Sequence, residues 1–230
     1  MSSGVRLLVL GKQGAGKGTQ AVRVARHFGV PHISTGDMFR AAAAAKTPFG
    51  LKAKEFMKRG ELVPDDVVIG VVAERLAKDD VFEVGFVLDG FPRTRVQAEE
   101  LQRLLLPGRL DAAVDIAVPT EVVLDRISGR RVCRTCGATY HVDAPPKVDW
   151  LCDRDGGDVV QREDDEPDAI MRRLELYERE TGPLLEHYAS LGLLVTVDGV
   201  GDPDAVFERL LDSVESQRQS HLSAAPRVQR

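Results

Sequence analysis

The stretch Gly11-Lys12-Gln13-Gly14-Ala15-Gly16-Lys17-Gly18-Thr19 stands between an apolar run at residues 5–10 and a helical pattern at residues 17–28. Buried strand, glycine-rich loop, then helix is the setting a phosphate-binding loop requires. Glycines let the backbone curl until its amides point inward, the helix amino end adds positive potential, and Lys17 can reach the outer phosphates of a nucleotide. Gly14, Ala15, Gly16, Lys17, Gly18 and Thr19 are therefore expected against a polyphosphate. The residue after the lysine is Gly18 and the hydroxyl comes one place later, at Thr19, so direct magnesium ligation by that hydroxyl is not expected.

Further short apolar runs at residues 32–34, 86–88, 113–118 and 193–197 are separated by helical patterns at 66–78, 94–105, 120–127 and 168–188. This alternation predicts an α/β fold, a P-loop NTPase-like parallel sheet flanked by helices, with ligands at the carboxyl ends of its strands. Residues 34–63, helical without a strand, and residues 131–166, rich in turns, break the rhythm and read as inserts above the sheet. The expected core is then residues 1–33, 64–130 and 167–215, and disorder is expected for the polar end at 216–230.

A formal net charge of -5 and a pI near 5.6 argue against nucleic-acid binding through bulk positive charge. No apolar run approaches the roughly 20 residues of a membrane span, and Met1-Ser2-Ser3-Gly4 leads into a strand-like segment, so a cytoplasmic protein without a membrane partner is expected. Three cysteines crowded together suit a metal better than a disulfide framework. Cys133-x-x-Cys136 and Cys152-x-x-Asp155 form two knuckles with fifteen residues between them, which can close a four-ligand structural zinc site. Asp155 stands where a fourth cysteine is expected, with Asp153 and His141 as alternatives. A zinc-knuckle nucleic-acid module is the rival reading, and the negative charge and complete P-loop weigh against it.

Gly14-Ala15-Gly16-Lys17-Gly18-Thr19-Gln20, Ser34-Thr35-Gly36-Asp37-Met38-Phe39-Arg40 and Leu88-Asp89-Gly90-Phe91-Pro92-Arg93-Thr94 occur in that order. Together they resemble the adenylate kinase family, and Cys133-Arg134-Thr135-Cys136-Gly137-Ala138-Thr139-Tyr140-His141 resembles its bacterial members with a long zinc-binding lid. The resemblance spans about residues 5–211 and implies reversible magnesium-dependent transfer from ATP to AMP, giving two ADP. It makes residues 34–63 an AMP-binding insert and 131–166 a zinc lid, and it places AMP among Thr35, Arg40, Glu61, Leu62, Val63, Gly90, Phe91, Pro92, Arg93 and Gln97. Thr35 favours AMP over UMP or CMP, because similar pyrimidine nucleotide kinases carry alanine there.

Asp89, at a strand end, either holds magnesium through water or caps the following turn, and the first role is preferred. Arg126 and Arg130, four apart, are expected on one helix face. By resemblance they converge with Arg162, Arg173 and Arg93 on the phosphates, while Thr139, Tyr140 and Gly201 lie near the donor nucleotide. The implied partners are ATP, AMP and ADP, and a monomer is expected. A kinase for another nucleoside monophosphate, or a GTP:AMP phosphotransferase, is the nearer alternative.

Overall fold

The computed structural model describes residues 4–224. Five strands, β1 (Arg6–Leu10), β2 (His32–Ser34), β3 (Phe86–Asp89), β4 (Ala112–Ala117) and β8 (Leu194–Asp198), form one parallel sheet in the order β2-β3-β1-β4-β8. The central strands are apolar on both faces because helices cover both, and Leu7, Leu8, Val87, Leu88 and Val114 have no exposed surface. One layer packs α1 (Lys17–Phe28) and α7 (Thr120–Ser128) on the sheet. The other uses α4 (Asp65–Leu76), the short α5 (Asp79–Phe82), which buries Val81, and α6 (Arg95–Leu104). Register pairs Leu10 with Asp115 and Ser34 with Asp89, so the polar strand ends gather along one edge.

Residues 34–63 hold α2 (Thr35–Ala44), capped by Ser34, and α3 (Pro48–Lys58), capped by Thr47. Beyond α7 the chain leaves the main sheet and builds a separate antiparallel one from β5 (Arg130–Cys133), β6 (Thr139–His141) and β7 (Val159–Val160), in the order β6-β5-β7.

Three expectations need correction. The helical pattern at 168–188 is not one helix but α8 (Pro167–Leu176), a π-helical turn at Tyr177–Thr181, and α9 (Pro183–Ser190). Pro183 has no amide to continue the ladder, and the Gly182 N–H reaches back five residues to the Tyr177 carbonyl at 2.7 Å.

Arg126 and Arg130 do not share a helix face. Helix α7 ends at Ser128, Gly129 follows it as the cap, and Arg130 opens β5.

The end of the chain, expected to be disordered from residue 216, is helical up to Ala224 within α10 (Pro203–Ala224), while residues 225–230 lie outside the described residues. Val206, Leu210 and Val214, spaced by four, bury one face of this helix. Its polar continuation is docked: the Gln217 amide donates to the Gly192 carbonyl at 2.6 Å, and Arg218 lies over the Phe28 ring at 5.6 Å. No helix among the described residues is long and apolar enough to cross a membrane.

Candidate active site

A cleft of about 840 Å³ opens at the carboxyl edge of the main sheet, within the size range of small-molecule sites. Residues 14–19 form its floor. Gly14, at φ 83°, packs so tightly that an added Cβ would lie 2.6 Å from Ile127 Cγ1, so the loop needs glycine there both for its conformation and for space. Lys17 donates to the Lys12 carbonyl at 2.7 Å. Burial pushes its pKa down to about 8; Asp89 opposes that fall, while Arg93, Arg130 and Arg173 add to it.

The glycine at position 18 has a local explanation. A Cβ there would sit 3.3 Å from Asp89 Oδ2, so the carboxylate occupies the space beside the first turn of α1. His32 faces the same carboxylate, with Nε2 3.8 Å from Asp89 Oδ2.

Across the cleft, Thr35 is buried and donates its hydroxyl to the Gly90 carbonyl at 2.9 Å. Arg40 pairs with Asp37, and Glu61 with Arg59, next to the cleft-lining Leu62 and Val63. Gln97 is held at both ends of its amide: Oε1 accepts the Arg93 N–H at 2.8 Å and Nε2 donates to Asp65 at 2.7 Å. Gly90, Pro92 and Arg93 line the cleft, whereas Phe91 turns away into the apolar core.

The arginines meet here, each oriented by a different element. Arg93 donates Nε to the Gly90 carbonyl at 2.8 Å; burial first, then Arg173, lowers its pKa to about 10. Arg130 forms an ion pair with the fully buried side chain of Asp165, with Nε 2.8 Å from Oδ2, and Arg173 forms one with Asp164. Arg162 also falls to about 10 through burial and then Arg40, and its Nε is buried without a partner. Arg126 reaches the Gly199 carbonyl at 3.1 Å, near Gly201, and the Ala15 carbonyl at 3.4 Å. Thr139 and Tyr140 close the cleft from the small sheet. Gln13, 3.4 Å from Asp165, and Lys54, 2.9 Å from Glu163, also tie that side to the rest.

Beside this wall, Cys133, Cys136, Cys152 and Asp155 bring one ligand atom each within 4.8 Å of one another. Cys136 and Cys152 sulfurs are 3.5 Å apart, and Cys133 Sγ is 3.3 Å from Asp155 Oδ1. Four ligands bound tetrahedrally to zinc at about 2.3 Å would have their sulfurs roughly 3.8 Å apart, so the set fits such an ion. Amides of Thr135 and Cys136 donate to Cys133 Sγ, as each knuckle turn requires. The Gly157 amide, donating at 2.9 Å, leads the interactions that hold the Asp155 pKa at about 2. Asp153 instead accepts the Lys147 amide at 2.9 Å, and His141 bonds the Asp143 amide, so neither belongs to the cluster.

A family model described as "Adenylate kinase" matches residues 9–193. The chain belongs to the adenylate kinase family. An adenylate kinase of Carboxydothermus hydrogenoformans is 50% identical over 214 residues, covering 92% of this chain and all of the relative. One from Shouchella clausii is 52% identical over 206 residues, 88% of this chain and 94% of its own. One from Archaeoglobus fulgidus is 50% identical over 218 residues, 92% and 100% respectively. The chain is therefore an enzyme of a phosphotransferase family.

Within this adenylate kinase fold, sequence reasoning missed the groups that orient the cations. Asp164 and Asp165 stand two and three residues after Arg162, beyond Glu163, and acids so close in sequence to a cleft-lining arginine were the available signal. Asp65 and Thr181 gave no such signal, because each acts on a residue distant in sequence.

Proposed function

We propose that the protein transfers the terminal phosphoryl group of ATP to AMP reversibly, giving two ADP. The observation that carries this reading is one cleft lined by Lys17 and nine arginines, among them those at 40, 93, 126, 130, 162 and 173. Like charges gathered in a buried site disfavour one another, and anionic ligands relieve that. The P-loop supplies one anion site, and Arg40 and Arg93 beside Thr35 supply a second for a monophosphate.

The AMP phosphate oxygen attacks the γ-phosphorus directly, so no protein nucleophile or base is required. Lys17 and Arg93 stabilise charge on the transferring group, with Arg130, Arg162 and Arg173 around it. Gln97 offers its amide to the acceptor base, and Arg126, Thr139, Tyr140 and Gly201 bound the donor side. Magnesium bound with ATP neutralises phosphate charge, and Asp89, aimed at the P-loop helix, would hold it through water. Residues 34–63 and 131–166 act as acceptor insert and lid, excluding water when they close over the substrates. Cys133, Cys136, Cys152 and Asp155 would hold a structural zinc, a closed set with no position for substrate. The protein works as a cytoplasmic monomer without nucleic acid or membrane. A coupled assay across nucleoside triphosphate donors and monophosphate acceptors tests this reading: ATP with AMP should be the preferred pair, and a faster rate with UMP or CMP would contradict it.

A further inference from the structure

Tyr140 stands on β6, opposite Arg131 of β5, with its ring packed on the cluster of Cys133, Ala138, Cys152 and Val159. The same residue lines the nucleotide cleft. Its hydroxyl lies 3.4 Å from Cys152 Sγ and 2.8 Å from the Asp153 backbone nitrogen. That amide can only donate, so it occupies an oxygen lone pair and leaves the phenol proton for the sulfur. A metal-bound thiolate carries no proton, so it can only accept. Apart from the four ligands themselves, no other side chain among the described residues is hydrogen-bonded to a ligand sulfur; the remaining donors are backbone amides.

We propose that Tyr140 is an outer-sphere member of the metal site, a positioning residue that donates O–H to the Cys152 thiolate and ties the second knuckle to the cleft wall. This rests on the zinc reading above. Donation to a ligand sulfur holds the thiolate in place, and removal of such a partner typically weakens metal binding by about 10–100-fold.

The test follows zinc transfer from the zinc-loaded full chain to excess 4-(2-pyridylazo)resorcinol. Tyr140→Phe keeps the ring and removes only the donor, and it should release zinc on the order of tenfold faster than wild type. In the cobalt-substituted protein the same change should shift the sulfur-to-cobalt charge-transfer band. A second arm needs no substitution: the chain contains three tyrosines, and 3-fluorotyrosine at all of them makes a more acidic phenol that should slow release. Equal release rates in wild type and Tyr140→Phe would overturn the proposal, as would an unchanged rate in the fluorinated protein should Tyr140→Phe fail to fold. Wild type that binds no zinc would overturn the zinc reading itself, and this proposal with it.

Discussion

Thr181 donates its hydroxyl to the backbone carbonyl of Arg93 at 3.0 Å, joining residues 88 positions apart. The donor sits in the π-helical turn that continues α8, the helix carrying Arg173, so this bond sets one cleft-lining arginine against another. Misplacing a positioned charge slows the chemical step more than it weakens binding. Thr181→Val should lower kcat about tenfold, equivalent to roughly 1.4 kcal/mol, with a much smaller change in KM. Thr181→Ser should restore the rate. Steady-state kinetics on both variants decide it, and an unchanged kcat in Thr181→Val would remove Thr181 from this role.

Thr35 is predicted to set acceptor choice. Because its hydroxyl also satisfies the Gly90 carbonyl, Thr35→Ala should cost about 1 kcal/mol of stability. Phosphorylation of UMP or CMP should rise relative to AMP in the same variant. Competition assays with mixed acceptors measure this, and an unchanged acceptor profile would leave Thr35 a purely structural group.

Nucleotide affinity should depend on pH through Lys17. In the free protein its pKa lies at about 8, lowered from the ordinary lysine value chiefly by burial. Bound polyphosphate favours the charged form and raises that value. Below pH 8 the lysine is protonated in both states, so affinity is flat. Above it, binding must take up a proton, and Kd for ATP should weaken by up to about tenfold per pH unit until the bound pKa is reached. Lys17→Arg, whose side chain stays charged, should show no such onset. Calorimetric titration across this range, with a wild-type Kd that stays flat to about pH 9.5, would contradict the assignment.

Zinc should contribute to stability rather than to chemistry, since the lid cluster of Cys133, Ala138, Cys152 and Val159 is too small to hold three short strands alone. One zinc per chain is expected by elemental analysis. Stripping it should lower the Tm while activity at moderate temperature persists. Asp155→Cys should keep the metal, and Cys133→Ser should weaken it. Complete loss of activity in folded, stripped protein, restored by zinc alone, would refute a structural role.

The sheet and its phosphate loop were legible because short apolar strands and the glycine spacing around Lys17 are local patterns. The gathering of Cys133, Cys136, Cys152 and Asp155 was legible for the same reason. What escaped depended on partners distant in sequence or on backbone chemistry beyond periodicity. Helical spacing continues smoothly through residues 168–188, and only the missing amide of Pro183 reveals the π turn. Arg126 and Arg130 are four apart, but the helix stops between them at Gly129. Residues 216–224 look too polar to order, yet Gln217 and Arg218 dock on Gly192 and Phe28, which no local pattern announces.

The most direct test of the central claim is phosphorus NMR of purified protein with ATP, AMP and magnesium, run beside Lys17→Met and Arg93→Ala. Two ADP should form for each AMP consumed by wild type. Each variant should lose at least about 100-fold in rate while remaining folded, on the order of 3 kcal/mol of transition-state stabilisation. Absence of ADP with wild type, or near-normal rates in either variant, would contradict the account.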